Sequence, residues 1–143
     1  MGRVSRQVIS EDLKDDLEEQ LSFIITSLNN KDETASFISE FLTVEEKLML
    51  GKRLTLYMML HKGMTSKQIH NSLSMSYETI RWYKNIYESK SLVFKKEIEK
   101  LIRREKNKEL WRKIERILKP VGLFMDSQSD MRARSKFASG DFS

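Results

Sequence analysis

The chain has no cysteine, one proline (Pro120) and five glycines in 143 residues. Without thiols there can be no disulfide framework and no thiolate metal site, and the composition fits a reducing cytoplasm. So few prolines and glycines argue against a fold of many strands and tight turns and favour long helices. Long apolar runs are missing as well. The longest mostly apolar stretch, Leu54 to Leu60, falls far short of the ~20 residues that span a bilayer. The opening MGRVSRQVISEDLKDD contains no run of signal-peptide length. A soluble, cytoplasmic protein with no membrane partner is expected.

Catalytic signatures are equally scarce. There is no glycine-rich phosphate loop, no nucleophile elbow and no carboxylate–histidine cluster. His61 and His70 are the only histidines, and neither has a partner at metal-ligand spacing. The eight methionines suit core filling better than any cofactor role. The expectation is a protein that is not an enzyme and holds neither metal nor cofactor.

What the chain does have is charge, unevenly placed. Residues 1–63 carry a net charge of −3, residues 64–89 of +1, residues 90–119 of +7 and residues 120–143 of 0. A basic C-terminal third beside an acidic N-terminal third suits a protein of which one part faces phosphate, and equally a lysine-rich solvated helix face.

At 143 residues one principal core is expected, preceded by a flexible N-terminus over 1–9. Ser10 is placed to cap a helix over residues 10–28, whose Leu13, Leu17, Leu21, Ile24 and Leu28 form one stripe. A shorter helix from Asp32 to Leu42 is expected to bury Ala35, Phe37, Ile38, Phe41 and Leu42. Thr43-Val44-Glu45-Glu46 is a capping box opening a helix that is apolar around most of its circumference, and Gly63 is placed to end it. Thr65-Ser66-Lys67-Gln68 is a second box, for a short helix to Leu73. Ser74-Met75-Ser76 reads as a tight turn, with Ser76 capping a further helix from Tyr77 to about Glu88.

Two short capped helices around a three-residue turn, behind a long buried helix, make the layout of a helix-turn-helix over 65–88, within a helical domain spanning 10–89. The same layout also occurs as a plain hairpin in bundles. In the DNA-binding reading Ile80 packs inward and Tyr77, Glu78, Thr79 and Arg81 face base edges in the major groove. Ser76 lies at the start of that helix. Thr65, Ser66, Lys67, Gln68 and Lys84 are placed for phosphate, the first three through amides at a helix N-terminus.

Residues 90–119 read as one basic helix or a pair broken near Asn107, stopped by Pro120. Lys95, Lys96, Arg103, Arg104 and Arg112 are candidate auxiliary phosphate contacts, although interspersed glutamates can pair with them along the helix. Trp111 reads as a packing residue. Residues 120–143 read as a mobile tail.

The segment FLTVEEKLMLGKRLTLYMMLHKGMTSKQIHNSLSMSYETIRWYK, residues 41–84, resembles the Trp repressor-like family. Leu-Thr-x-x-Glu-Lys opens one helix, Gly-x-Arg-Leu follows, and Ser-x-x-Thr-Ile falls in the recognition helix. The likeness runs from about Val4 to Glu88, closer to uncharacterised members than to the Trp repressor itself. It implies an all-α bundle, here with an extra C-terminal helix and a flexible tail. It further implies an intertwined homodimer that reads a two-fold site on double-stranded DNA as a transcriptional regulator. Arg53, Leu42 and Thr43 match positions around the family's corepressor pocket. The family's Arg-Gly pair, however, falls at Trp82-Tyr83, whose rings would fill that pocket and remove a cation. Tryptophan is therefore not expected as corepressor, no small-molecule effector is called for, and Arg53 is expected to pair with a carboxylate such as Glu46 or with backbone carbonyls. Two other readings stay open: a helical protein-interaction adaptor, and an RNA- or ribosome-associated factor using the basic C-terminal segment.

Overall fold

The computed structural model describes residues 8–104 and 106–123. Among these there are seven α-helices, one 3₁₀ turn and no strand: α1 Glu11–Ser27, α2 Lys31–Phe41, α3 Val44–His61, α4 Ser66–Leu73, α5 Tyr77–Glu88, α6 Leu92–Arg103, α7 Asn107–Leu118 and the 3₁₀ turn Lys119–Val121. The fold is all-α. By internal contacts the chain divides into two compact units, residues 1–51 and 52–143, with the boundary inside α3.

Each helix of the first unit begins on a local cue. The Ser10 hydroxyl accepts from the amide of Leu13, and the Asn30 side chain accepts from that of Glu33 at 2.9 Å. Thr43 and Glu46 form the reciprocal box, the Thr43 amide donating to Glu46 Oε2 at 2.9 Å and the Glu46 amide to Thr43 Oγ1 at 3.1 Å. These contacts satisfy amides that a helix start otherwise leaves unpaired.

Packing in this unit departs from expectation. Neither α1 nor α2 buries a residue. Leu13, Leu17, Leu21, Ile38 and Phe41 are all exposed, as are Leu48, Met49 and Leu50 at the start of α3. The core expected over Ala35–Leu42 therefore does not close in the single chain. The central helix, too, is buried only over Leu56–Met59. The helical stripes are present, but their residues stay at the surface.

The second unit has a core of its own. Leu56, Tyr57, Met58 and Met59 of α3 are buried with Ile69 of α4, Ile80 of α5, Ile98 of α6 and Trp111, Ile114 and Leu118 of α7. Leu60, Leu73, Tyr83, Tyr87, Phe94 and Leu123 pack around it. Gly63 ends α3 at φ +76°, where the amide of Gly63 reaches the carbonyl of Leu60 and that of Met64 the carbonyl of Met59, both at 3.0 Å. This is a Schellman stop.

The basic segment is a helix pair. Arg104 leaves the helical region with ψ 132°, and the side-chain amide of Asn107 donates to the carbonyl of Leu101 across the break. As expected, α7 ends ahead of Pro120, at Leu118. Pro120 sits in the 3₁₀ turn that follows, near whose start proline is tolerated, and a second Schellman closure ends the segment at Gly122 (φ +70°), with the amide of Leu123 bonded to the carbonyl of Leu118 at 3.0 Å. Residues 120–123 are thus part of the fold. The rest of the expected tail, and residues 1–7 of the expected flexible N-terminus, lie outside the described residues.

An aromatic group joins α3, α5 and α6. The Tyr57 ring meets Phe94 edge-on at 5.1 Å and Tyr83 at 5.8 Å, and lies 6.0 Å from Tyr87. His61 Nδ1 is hydrogen-bonded to the Tyr87 hydroxyl. Burial pushes the Tyr87 phenol up to about 12, so it stays protonated. Burial also lowers the His61 pKa, against a smaller pull upward from Glu99 and together with a push downward from Lys95. The native chain therefore binds fewer protons at His61 than the unfolded chain does below the ordinary value of 6.5. The resulting stability is present above that pH and is lost as pH falls through the depressed native value. The urea midpoint should drop between about pH 7 and about pH 5, with a smaller drop in His61→Gln. An equal drop in both proteins would assign the effect to other groups.

Candidate nucleic-acid interface

The hairpin α4–α5 is held by its own sequence at every junction. Thr65 and Gln68 complete the second capping box, the Thr65 amide donating to Gln68 Oε1 at 2.8 Å and the Gln68 amide to Thr65 Oγ1 at 3.2 Å. Ser74 turns the chain out of α4 in the left-handed region (φ 51°), its amide bonded to the carbonyl of His70 at 3.0 Å. A side chain at that φ costs about 1–2 kcal/mol relative to the right-handed region, and the packing on either side of the turn holds it there. Ser76 then caps α5: its Oγ accepts from the Thr79 amide at 3.2 Å and donates to Thr79 Oγ1 at 2.8 Å.

Ile69 and Ile80 are both fully buried, which fixes the outward faces of the two helices. Tyr77, Glu78, Thr79, Arg81 and Lys84 are exposed on α5, and Lys67 is exposed on α4. Tyr83 turns inward, while Lys84 does not. Tyr77, Glu78, Thr79 and Arg81 are thus all outward in the first turns of α5. The hydroxyls of Ser76 and Thr79 are already joined to each other.

Gln68 is differently engaged from what its sequence position suggests. Its Oε1 takes the Thr65 amide and its Nε2 donates to the carbonyl of Leu123 at 3.3 Å, so both ends of the amide are bonded to the chain's own backbone. Its role is to tie the start of α4 to the turn after α7. With the Thr65 amide also taken, the amides of Ser66 and Lys67 are those left at the α4 N-terminus for an anion.

The auxiliary cations divide by helix. On α6, Lys100 pairs with Glu97 at 2.7 Å, Arg103 pairs with Glu99, and the Lys95 ammonium lies 5.2 Å from the centre of the Tyr87 ring. Lys96 and Arg104 are exposed, as is Arg112 on α7. Trp111 is buried, with the Lys62 ammonium 3.9 Å from the centre of its ring.

Two contacts escaped the reading of the sequence. The first is His70, considered there only as a metal ligand. Its Nδ1–H donates to the carbonyl of Met75 at 2.7 Å, and its ring stacks on that of Tyr77 with centroids 4.3 Å apart and planes 14° apart. One imidazole thus fastens the turn and braces the first side chain of α5. An aromatic residue on each side of a three-residue turn was the available signal. The second is Arg53, whose guanidinium lies 5.6 Å from the centre of the Tyr83 ring. Among the described residues the Arg53 contact is this ring, and Glu46, its expected partner, bonds Thr43 in the capping box.

A capped helical hairpin packed on the buried Leu56–Met59 segment of α3, with an outward first turn on its second member, has the layout of a helix-turn-helix. Residues 16–102 match the family described as Trp repressor protein, and the chain belongs to that family of helical DNA-binding regulators, which are not enzymes. No curated protein and no solved structure matches the chain. Among the described residues no helix is long and apolar enough to cross a membrane.

The His70 brace is open to direct measurement. Ring stacking shields the Tyr77 protons, so His70→Ala should move their NMR resonances downfield and lower stability by about 1 kcal/mol for the lost stacking and hydrogen bond. Unmoved Tyr77 resonances would mean that the stack is not held in solution.

Proposed function

We propose that this protein is a homodimeric, sequence-specific transcriptional regulator of the cytoplasm that reads double-stranded DNA with α5. The observation that carries the reading is the burial of Ile80 beneath a capped α5 start, which leaves Tyr77, Glu78, Thr79 and Arg81 outward together. Each has a base-edge partner: Glu78 the amino group of cytosine, Arg81 the O6 and N7 of guanine, Tyr77 and Thr79 the methyl of thymine. Lys67, Lys84 and the free amides of α4 supply backbone contacts.

The dimer reading rests on the first unit, whose leucine stripe is left at the surface. A second copy is the cover that family membership favours. Two recognition helices would then lie about 34–36 Å apart, one turn of duplex. Selection from a random duplex library should enrich a two-fold symmetric site, with affinity falling steeply as salt rises. Charge reversal at Arg81 and Lys84 together should abolish that enrichment. Binding without enrichment would point to an architectural or RNA-associated role, and no binding at low salt would leave the adaptor reading in place.

We further propose that no tryptophan corepressor is used. Arg53 already faces an aromatic ring of its own chain, and Trp82 and Tyr83 stand where the resemblance would place the family's Arg-Gly pair. Titration of the protein with tryptophan should give no saturable heat, and duplex affinity should not change with tryptophan present. A saturable isotherm would overturn this part of the reading.

A further inference from the structure

Helix α7 lies beyond residue 102, where the family match ends. Its inner row, Leu110, Trp111, Ile114 and Leu118, belongs to the core or packs against it. Its outer row is cationic. Arg112, Lys113 and Arg116 are exposed and take part in no ion pair among the described residues, in contrast to the paired Lys100 and Arg103 of α6. Unpaired arginines are the cations best suited to phosphate, since their donors are not already occupied by a carboxylate.

Placement gives this row its meaning. α7 packs on α4, and the Gln68 to Leu123 bond holds the end of the α7 segment at the start of α4. In a helix-turn-helix the first helix crosses the nucleic-acid backbone, so a helix lashed alongside it lies over the next stretch of the same backbone. Arg112 and Arg116 are one helical step of four residues apart, about 6 Å along the axis, close to two base-pair steps of one strand.

We infer that the outer face of α7 is a second phosphate-binding strip, which extends contact from the helix-turn-helix to the duplex flanking the site that α5 reads. The inference rests on the DNA reading above. The strip adds affinity without adding sequence information, because phosphates carry none.

The test uses the full chain and its Arg112→Gln/Lys113→Gln/Arg116→Gln variant, with equal melting temperatures confirming that both fold. Affinity for a mixed-sequence duplex of about 40 base pairs is measured against salt concentration. The variant should show a log–log salt slope shallower by about 2–3 for each protomer bound, at about 0.9 per lost phosphate contact, and so by about 5 for a dimer, with its preferred site in a duplex selection unchanged. An unchanged slope overturns the inference. If the wild-type chain binds no duplex, both readings fall together. If Arg81 and Lys84 reversal abolishes the selected site while the α7 variant keeps the full slope, the α7 strip alone is wrong. Loss of single-stranded RNA binding with duplex binding intact would assign the strip to RNA and overturn it as well.

Discussion

Burial of Ile80 is the constraint on which the interface depends. It is one of the few side chains fully removed from solvent, in one core with Leu56, Met59, Ile69 and Leu118. A side chain of that size contributes roughly 1.5–3 kcal/mol by leaving water, and it sits in the first turn of α5, four residues after the Ser76 cap. On a helix of 3.6 residues per turn, fixing one residue inward fixes its neighbours outward. The polar surface at the start of α5 is thus set by an apolar contact that takes no part in it. Arg81 and Glu78 face solvent because Ile80 cannot.

Around that contact the hairpin is held mostly by short-range hydrogen bonds. Two serine and threonine caps, a left-handed serine and one histidine–carbonyl bond fix α4, the turn and the start of α5 between Thr65 and Thr79. Local contacts of this kind form at little loop-closure cost. Two longer ties hold the hairpin to the rest of its unit, the Gln68 to Leu123 bond and the aromatic group of Tyr57, Tyr83, Tyr87 and Phe94.

The same distinction explains what the sequence could tell. The caps at Ser10, Thr43, Thr65 and Ser76 and the stop at Gly63 were legible because each is decided within four or five residues. So was the inward face of α5, since Ile80 is the apolar residue of its first turn. Partners chosen by tertiary packing were not legible. Nothing near Gln68 in the chain announces Leu123, and nothing near Arg53 announces Tyr83. The stop before Pro120 was legible, because a residue without an amide cannot continue the helical ladder, and α7 ends at Leu118. Burial in the first unit was misjudged for a different reason. A stripe says that a face can be covered, but not that the same chain covers it.

That last point separates the two units physically. The second closes a core over its own helices. The first leaves Leu13, Leu17 and Leu21 each about half exposed, at 47%, 49% and 48%. Isolated helices of this length are marginal in water and draw most of their stability from packing of an apolar face. On the proposed reading a second copy supplies that packing, and association then contributes to the folding of α1 and α2 as well as to the spacing of two recognition helices. Stability of the first unit would depend on protein concentration, as it does whenever only the native state binds a partner. The second unit, with its own core, would hold its α5 surface in readable form before any partner arrives, and dimerisation would govern how two such surfaces are spaced.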